Sequence, residues 1–382
     1  MDQAELLRDI EELVTYESPS NDLAAVAESA QLVARVGAAR LGTDPELIEL
    51  DGVTHLRWRF GSGPYRVLVL GHHDTVWPHG SLATHPFGIV DGVLRGPGCF
   101  DMKAGLVMAF HAIAALPDPS GITLLVTGDE EVGSTTSRQL IEDEARDCAA
   151  TFVLEASADG GALKIERKGV SLYEVLVHGR AAHAGLEPER GVNATIELSH
   201  QVLAIAELGD PDAGTTVTPT TMTSGTTTNT VPASSKLSID VRVRTIAEQQ
   251  RVDDAMHALT PRIEGARLEV RGGPNRPPLE RSASQDLFDR ADALAQKLGQ
   301  PALQGVAVGG ASDGNFTGGI GVPTLDGLGA VGGGAHADDE RVFVDALQPR
   351  TELLAAMLAD LLAEPKESVA TNDALPAGAD RP

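Results

Sequence analysis

The sequence predicts an α/β fold, a helix-covered sheet with a smaller unit inserted in it, on three observations. Short, nearly continuous apolar runs recur at 67–71 (VLVLG), 122–128 (ITLLVTG) and 151–155 (TFVLE), as strands buried on both faces require. Between the first two lies KAGLVMAFHAIAAL, with Leu106, Val107, Phe110 and Ile113 at helical spacing. Beyond Gly169 the pattern changes to strand, helix, two strands, helix and strand.

Taken in order, AELLRDIEELVTY first sets Leu6, Leu7, Ile10, Leu13 and Val14 on one helical face. The three apolar runs and the helix KAGLVMAFHAIAAL then alternate as in a wound α/β domain. SLYEVLVHG reads as a strand, GVNATIELSHQVLAIAEL as a helix, TVTPTTMTSG and KLSIDVRVR as strands, IAEQQRVDDAMHAL as a helix and ARLEVRG as a last strand. That β-α-β-β-α-β order is the split motif of ferredoxin-like domains, and it places the insert at 169–279. SASQDLFDRADALAQKLG is another helix, followed by Gly-rich loops between short strands and a closing helix at about 345–363. The first domain is therefore expected to be discontinuous, 1–168 and 280–365, and 382 residues suffice for both units. The tail 366–382 is polar and Pro-rich without periodicity, and is expected to be disordered.

Composition bounds the partners. A formal net charge of −25 repels phosphate backbones, which argues against nucleic-acid binding. An anionic substrate would need a local basic pocket. Aromatics are 3% against 42% hydrophobic residues, so Ala, Val, Leu and Ile must build the core. Two cysteines, Cys99 and Cys148, are too few for a disulfide framework or a thiolate zinc site, and read as small semi-buried side chains. No secretory signal and no membrane-spanning apolar run are visible, so a cytoplasmic location without membrane contact is expected.

Polar clusters follow the apolar runs: His72, His73 and Asp74 after VLVLG, Glu130 and Glu131 after ITLLVTGD, and Glu155 at the end of TFVLE. Asp101 precedes a helix in GPGCFDMKAG, and His336 lies in GGGAHADDE. Ligands in open α/β sheets gather outside the carboxyl ends of strands. One acid after a strand is usually a helix cap or a solvated loop residue. Together these residues offer imidazole and carboxylate without thiolate, a set that suits catalytic zinc. Two metals about 3.5–4 Å apart need a bridging carboxylate. Asp101 could bridge, with His72 and Glu155 on one ion and Glu131 and His336 on the other. Asp74, two residues from His72, can hydrogen-bond its imidazole. Glu130 is left free as a general base.

The motifs GHHDTV, GPGCFDMKAG, GDEEVGS, AHAG with GVNA, NTVPAS with DVRVR, and GGGAHADDERV, in this order over nearly the whole chain, resemble those of one family. It is the dizinc metallopeptidase family of the glutamate carboxypeptidases, the aminoacylases and the acetylornithine and succinyl-diaminopimelate deacylases. The glutamate carboxypeptidases are most similar, through SRQLIEDEA after GDEEVGS and through NRPP. The resemblance implies a zinc-peptidase-like catalytic domain with a mixed, helix-covered sheet, and an inserted ferredoxin-like lid that also forms a homodimer interface. It implies two Zn2+ per subunit on His72, Asp101, Glu131, Glu155 and His336, with Co2+ or Mn2+ able to fill the same ligands. Asp74 would support His72, Glu130 would act as base, and a cis peptide is implied at Asp101–Met102. On the lid, His183 of AHAG would polarise the scissile carbonyl from the partner subunit. Asn229 and Arg242 match lid positions that contact substrate, and Arg276 of NRPP matches an arginine that meets the substrate carboxylate. The implied reaction releases a C-terminal amino acid, with glutamate favoured, from an N-acyl or peptidyl substrate. Ala104 after Lys103, where the family often has Gly, and the Gly-rich GAVGGG before His336 depart from the pattern.

Other readings compete. The same machinery would serve an N-acyl-amino-acid deacylase or a dipeptidase. A non-catalytic metal-dependent binding protein would have no need of Glu130. GLGAVG fits a dinucleotide fingerprint, but no helix start follows it. His73 should face away from His72, and His111 should be packed or solvated. His79 and His85 read as loop residues, and Asp338, Asp339 and Glu340 as a solvated run or helix start. Asp313 could cap a helix or order a substrate loop.

Overall fold

The computed structural model describes residues 2–364, so the tail 366–382 lies outside the described residues. A six-stranded mixed sheet runs in the order Glu46–Leu50, Val53–Arg59, Ile122–Thr127, Val67–His72, Ala150–Val153, Thr324–Leu325. The last four strands are mutually parallel, and the first two are antiparallel. Alternate residues of Val67–His72 enter different cores, since side chains on a strand point to opposite faces. Val67 and Val69 pack in the cluster of Leu106, Phe110 and Leu354, whereas Leu68 and Leu70 pack with Ile141 and Phe316. Helices on both faces thus account for the continuous apolar run, and the α/β class is as expected. Each fully buried side chain of this kind contributes roughly 1.5–3 kcal/mol relative to exposure.

The first helix, Gln3–Val14, buries Leu6, Ile10, Leu13 and Val14 as its period predicts, and Asp2 caps it. The structure adds a second helix, Leu23–Leu41, and the strands Glu46–Leu50 and Val53–Arg59 to the elements the sequence pattern predicts. Asp22 caps that helix at its N-terminus, and Gly42 ends it in the left-handed conformation at φ 71°. Its Gly37 lies so close to Trp58 that a β-carbon would meet the indole at 2.7 Å.

Between residues 169 and 276 the order is β-α-β-β-α-β, in an antiparallel sheet ordered Thr216–Ser224, Ser234–Val243, Gly169–His178, Arg267–Arg276. One face is closed by the helices Ala194–Ala206 and Ile246–His257, which bury Val175, Val177, Leu198, Ile205, Val241 and Met256 between them. The other face leaves Leu172 half-exposed. Strand alternation therefore encodes one packed and one open face. Among the described residues no helix is long and apolar enough to cross a membrane.

Candidate metal centre

Three parallel strands deliver their chemistry at one sheet edge. Val67–His72 ends on His72, Ile122–Thr127 leads into the turn Glu130–Val132, and Ala150–Val153 leads to Glu155. Asp101 comes from a single π-helical turn, Cys99–Lys103, closed by Lys103 N–H donating to the Gly98 carbonyl at 3.1 Å. His336 arrives on the Gly-rich loop with a left-handed φ of 63°. The glycines of that loop are needed for close approach. A β-carbon on Gly329 would collide with the Leu154 carbonyl, and one on Gly332 with the Arg341 carbonyl. The backbone cis bond among the described residues is Gly63–Pro64. The one expected at Asp101–Met102 is not formed, and the π-helical turn carries Asp101 instead.

All five expected ligands meet. Donor atoms of His72, Asp101 and Glu131 lie within 4.8 Å of one another, as do those of His72, Glu130 and Glu155. His336 Nε2 stands 3.1 Å from Glu131 Oε1 and 3.7 Å from Asp101 Oδ2, and His72 Nε2 stands 3.7 Å from Glu155 Oε1. His72 and Asp101 are buried, and His336 is 50% exposed at the mouth of the site. Burial pushes the Glu131 carboxyl up to about 7 and the Glu130 carboxyl to about 8, the latter against the pull of Arg276. The neighbouring carboxylates of Asp101 and Glu131 lift His336 to about 11, although burial opposes it. Burial would raise the Glu155 carboxyl too, but His72, Arg167 and Lys164 bring it down to about 2.

The surrounding contacts differ from the simple expectation for Asp74. His72 Nδ1 is 3.0 Å from the Asp74 backbone carbonyl and 3.4 Å from its carboxylate. The carboxylate instead accepts from Glu130 N at 3.2 Å, Glu131 N at 3.3 Å and Ser20 Oγ at 2.7 Å. Asp74 thus orients the imidazole through its main chain and pins the Glu130–Glu131 turn through its side chain. Arg167 donates to Glu155 Oε2 at 3.3 Å and to both oxygens of Asp326 at 2.7 and 3.1 Å. Nothing in the sequence marked Arg167 or Asp326.

Glu130 is not free. Arg276, buried, donates to Glu130 Oε1 at 2.7 Å, to the Glu130 carbonyl at 3.1 Å, to Ser134 Oγ at 2.6 Å and to Asp313 Oδ1 at 3.1 Å. An Arg276 directed at a substrate carboxylate is therefore not what the structure holds. The guanidinium is occupied by the two acids and Ser134, with Nε buried and unpartnered. Asp313 also accepts from the Thr127 and Ser134 hydroxyls, so it clamps this network and makes no side-chain cap for its helix.

Among the described residues, His183, Asn229 and Arg242 make no hydrogen bond or ion pair with the centre. His183 and Asn229 are exposed and adjacent: Ala184 N–H donates to the Asn229 carbonyl at 2.9 Å, and His183 Nδ1 accepts from Gly185 and Leu186 N–H at 3.1 Å each. Arg242 grips Asp240 with two bonds at 2.8 and 2.9 Å. His73 faces away, onto Ser29 and the Thr54 carbonyl, and His111 is packed on Asp9. Cys99 is buried, burial pushes its thiol far above the usual range, and it belongs to neither cluster of candidate ligands. Glu340 is buried, not solvated as its acidic run suggests, and its carboxylate lies under the Asp101 turn.

The residues fit a pair of metal ions. His72 Nε2 and Glu131 Oε1 are buried and lack a hydrogen-bond partner, which is costly unless a cation is to be met there. His336 lies within reach of Glu131 Oε1 but out of line for a hydrogen bond. Crowded acids cannot all be ionised together unless positive charge sits among them.

Comparison with known proteins gives this geometry its context. The chain is 32% identical over 318 residues to Carboxypeptidase G2 of Pseudomonas sp. (strain RS-16), covering 79% of this chain and 75% of the relative. It is 27% identical over 323 residues to a succinyl-diaminopimelate desuccinylase of Wolinella succinogenes, covering 79% and 87%. Among solved structures, the M20 family metallo-carboxypeptidase Sso-CP2 of Sulfolobus solfataricus shares the fold with a TM-score of 0.72 at 17% identity, over 94% of this chain and 99% of that one. Residues 68–360 match peptidase family M20/M25/M40. The chain belongs to that family, a family of hydrolases.

Proposed function

We propose that this protein hydrolyses an amide bond next to a free α-carboxylate, releasing a C-terminal amino acid, with glutamate favoured, from an N-acyl or short peptidyl substrate. The observation that carries the reading is the pair of orphaned donors, His72 Nε2 and Glu131 Oε1, inside a cluster of carboxylates. His72, Asp101, Glu131, Glu155 and His336 would hold two metal ions, taken as zinc from the nitrogen and oxygen donor set. A relative of 14% identity from Bacillus subtilis, the YXEP protein, is described as a dinuclear metal-binding peptidase. When bound, such ions polarise a carbonyl and make a water acidic. Glu130 takes the proton from the attacking water and returns it to the leaving nitrogen. Asp74 keeps the Glu130 turn in place, and Arg276 holds the Glu130 carboxylate on the site side of the sheet edge. His183 supplies a further donor to the developing oxyanion, from the partner subunit of a homodimer. Asn229 and Arg242 would contact substrate from the same inserted unit.

Glutamate as the released residue is supported by the motif resemblance and the identity to Carboxypeptidase G2. The desuccinylase relatives favour a second reading, in which the acyl half is the recognised one. A panel of N-acyl amino acids, varied in each half and assayed with zinc-loaded and chelated enzyme, separates the two. Loss of turnover on chelation with a dependence on C-terminal glutamate supports the first. Equal turnover of a substrate and its C-terminal amide would overturn the carboxylate requirement.

A further inference from the structure

Glu340 lies four residues beyond His336 in an acidic run, yet it is 3% exposed. Its carboxylate accepts four hydrogen bonds: Oε1 from Phe100 N at 2.9 Å and Asp101 N at 3.0 Å, Oε2 from Gly98 N at 2.9 Å and Trp77 Nε1 at 2.7 Å. Among the described residues no lysine or arginine forms an ion pair with it within 4.0 Å. Lys103, the last residue of the turn, donates to the Tyr16 carbonyl instead. A buried carboxylate without a cation is tolerated only when its lone pairs are satisfied, and here backbone amides and an indole do so.

We propose that Glu340 is a positioning residue, which fixes the turn carrying Asp101 against the loop carrying His336 and so sets two ligands of one metal site before any ion binds. The inference rests on the metal-centre reading above.

Three features support it. The turn amides that meet Glu340 include that of Asp101 itself, so the carboxylate acts on the ligand's own backbone while leaving its side chain free. The Asp101 carbonyl accepts from Ala156 N–H at 3.3 Å, so the residue is held from both sides, the second time by the neighbour of Glu155. On the other side, Glu340 N–H donates to the Ala337 carbonyl at 3.0 Å and Ala337 N–H to the Gly334 carbonyl at 2.9 Å. These short turns tie His336 to Glu340, and Arg341–Phe343 then pairs with Val93–Arg95. Each loop alone has a conformation imposed by glycines, and Glu340 registers one against the other. A glutamine could satisfy only one pair of donors and would set its amide nitrogen against the other pair. An aspartate would fall a methylene short.

Two measurements test this. In the metal-free wild-type protein, the amides of Gly98, Phe100 and Asp101 should be protected from hydrogen exchange, because Glu340 holds them. Exchange that is fast until zinc is added would mean that the ion builds the turn, and would overturn the proposal. In Glu340→Gln, zinc titration should show one of two ions bound about 10–100-fold more weakly, the usual effect of losing a partner that orients a ligand. A variant that folds, melts lower and still binds both ions as wild type does would show a merely structural role. If the variant does not fold, the exchange experiment on the wild type decides. A wild-type chain that binds no metal would sink the metal-centre reading itself, and the exchange pattern would still report the turn.

Discussion

Arg276 Nη1 donates to Glu130 Oε1 at 2.7 Å, joining the last residue of an inserted-sheet strand to the turn that carries the proposed base. Both side chains are buried, at 8% and 10% exposure. Removing one partner of a buried pair leaves the other uncompensated, at a cost of about 3–5 kcal/mol. Arg276→Ala should therefore lower the unfolding free energy read from a urea titration by about that amount, and should reduce kcat by about tenfold or more while changing KM less. Arg276→Lys should recover little, because an ammonium cannot span Glu130, Ser134 and Asp313 at once. A KM effect that exceeds the kcat effect would return Arg276 to gripping the substrate carboxylate.

The adjacent glutamates separate by experiment. Glu130→Gln should cut kcat by about 10²–10⁴ with both ions retained, since a general base contributes on that scale. Glu131→Gln should lose an ion, because its Oε1 is one of the two orphaned donors. Metal analysis beside kinetics reads both, and loss of an ion from the Glu130 variant would exchange the two assignments.

Asp74 should matter to the turn more than to the imidazole. Its carboxylate receives the Glu130 and Glu131 amides, while its backbone carbonyl faces His72. In Asp74→Asn one oxygen becomes an NH2 and can no longer accept, whereas the carbonyl near His72 is unchanged. We expect metal affinity to fall by about 10–100-fold, with the loss on the Glu131 side. Calorimetric zinc titration resolves it, and a loss confined to the His72 side would assign the carboxylate to the imidazole after all.

The five proposed ligands are legible because each follows a strong local signal. His72, Glu131 and Glu155 come just beyond continuous apolar strands, and Asp101 and His336 sit in glycine-framed loops. Those strands are buried on both faces, so their sequences hold no competing polar pattern. Glu340 gave no such signal, because an acid in the run Asp338, Asp339, Glu340 looks solvated, and only the folded turn brings three amides and Trp77 to it. The grip of Arg276 on Glu130 was hidden for the same reason: 146 residues separate them, and the pairing is made only when the inserted strand returns to the sheet edge. Strand Glu46–Leu50 was missed because it is a largely exposed edge with a weak apolar pattern. Helix Leu23–Leu41 was missed because its many alanines blur the boundary between its faces.

Away from the centre, Asp9 predicts how stability responds to acid. Arg40 donates to it at 2.5 and 3.0 Å, and His111 Nε2 lies at 2.8 Å. Burial alone would raise its carboxyl, but the bonds to Arg40 and His111 outweigh it and hold the group below the usual range. A carboxyl depressed in the folded state stabilises above its unfolded pKa, and that stability is lost as pH falls through the folded value. Asp9→Asn should cost about 1–3 kcal/mol at neutral pH and should make the acid limb of the stability curve shallower. Unfolding midpoints from pH 7 down to pH 3 test this. Parallel curves for variant and wild type would mean that Asp9 does not titrate with folding.

His183 carries the assembly prediction. It is exposed beside Asn229, and among the described residues neither hydrogen-bonds to any of the five proposed ligands or to Glu130. A donor that serves the oxyanion must stand about 2.7–3.1 Å from it, and losing one costs about 10²–10³ in kcat. If the group comes from the partner subunit of a homodimer, His183→Ala and Glu130→Gln each inactivate both sites of their own homodimer. A mixed dimer then holds one site with Glu130 from the first variant and His183 from the second, both intact. Mixing the two inactive variants under conditions of proven subunit exchange should restore activity, approaching one site in four at equal amounts with random pairing. Full activity of the His183 variant alone would remove the residue from catalysis. An inactive variant that is not rescued by exchange would place His183 in the site of its own subunit, reached by closure of the inserted unit.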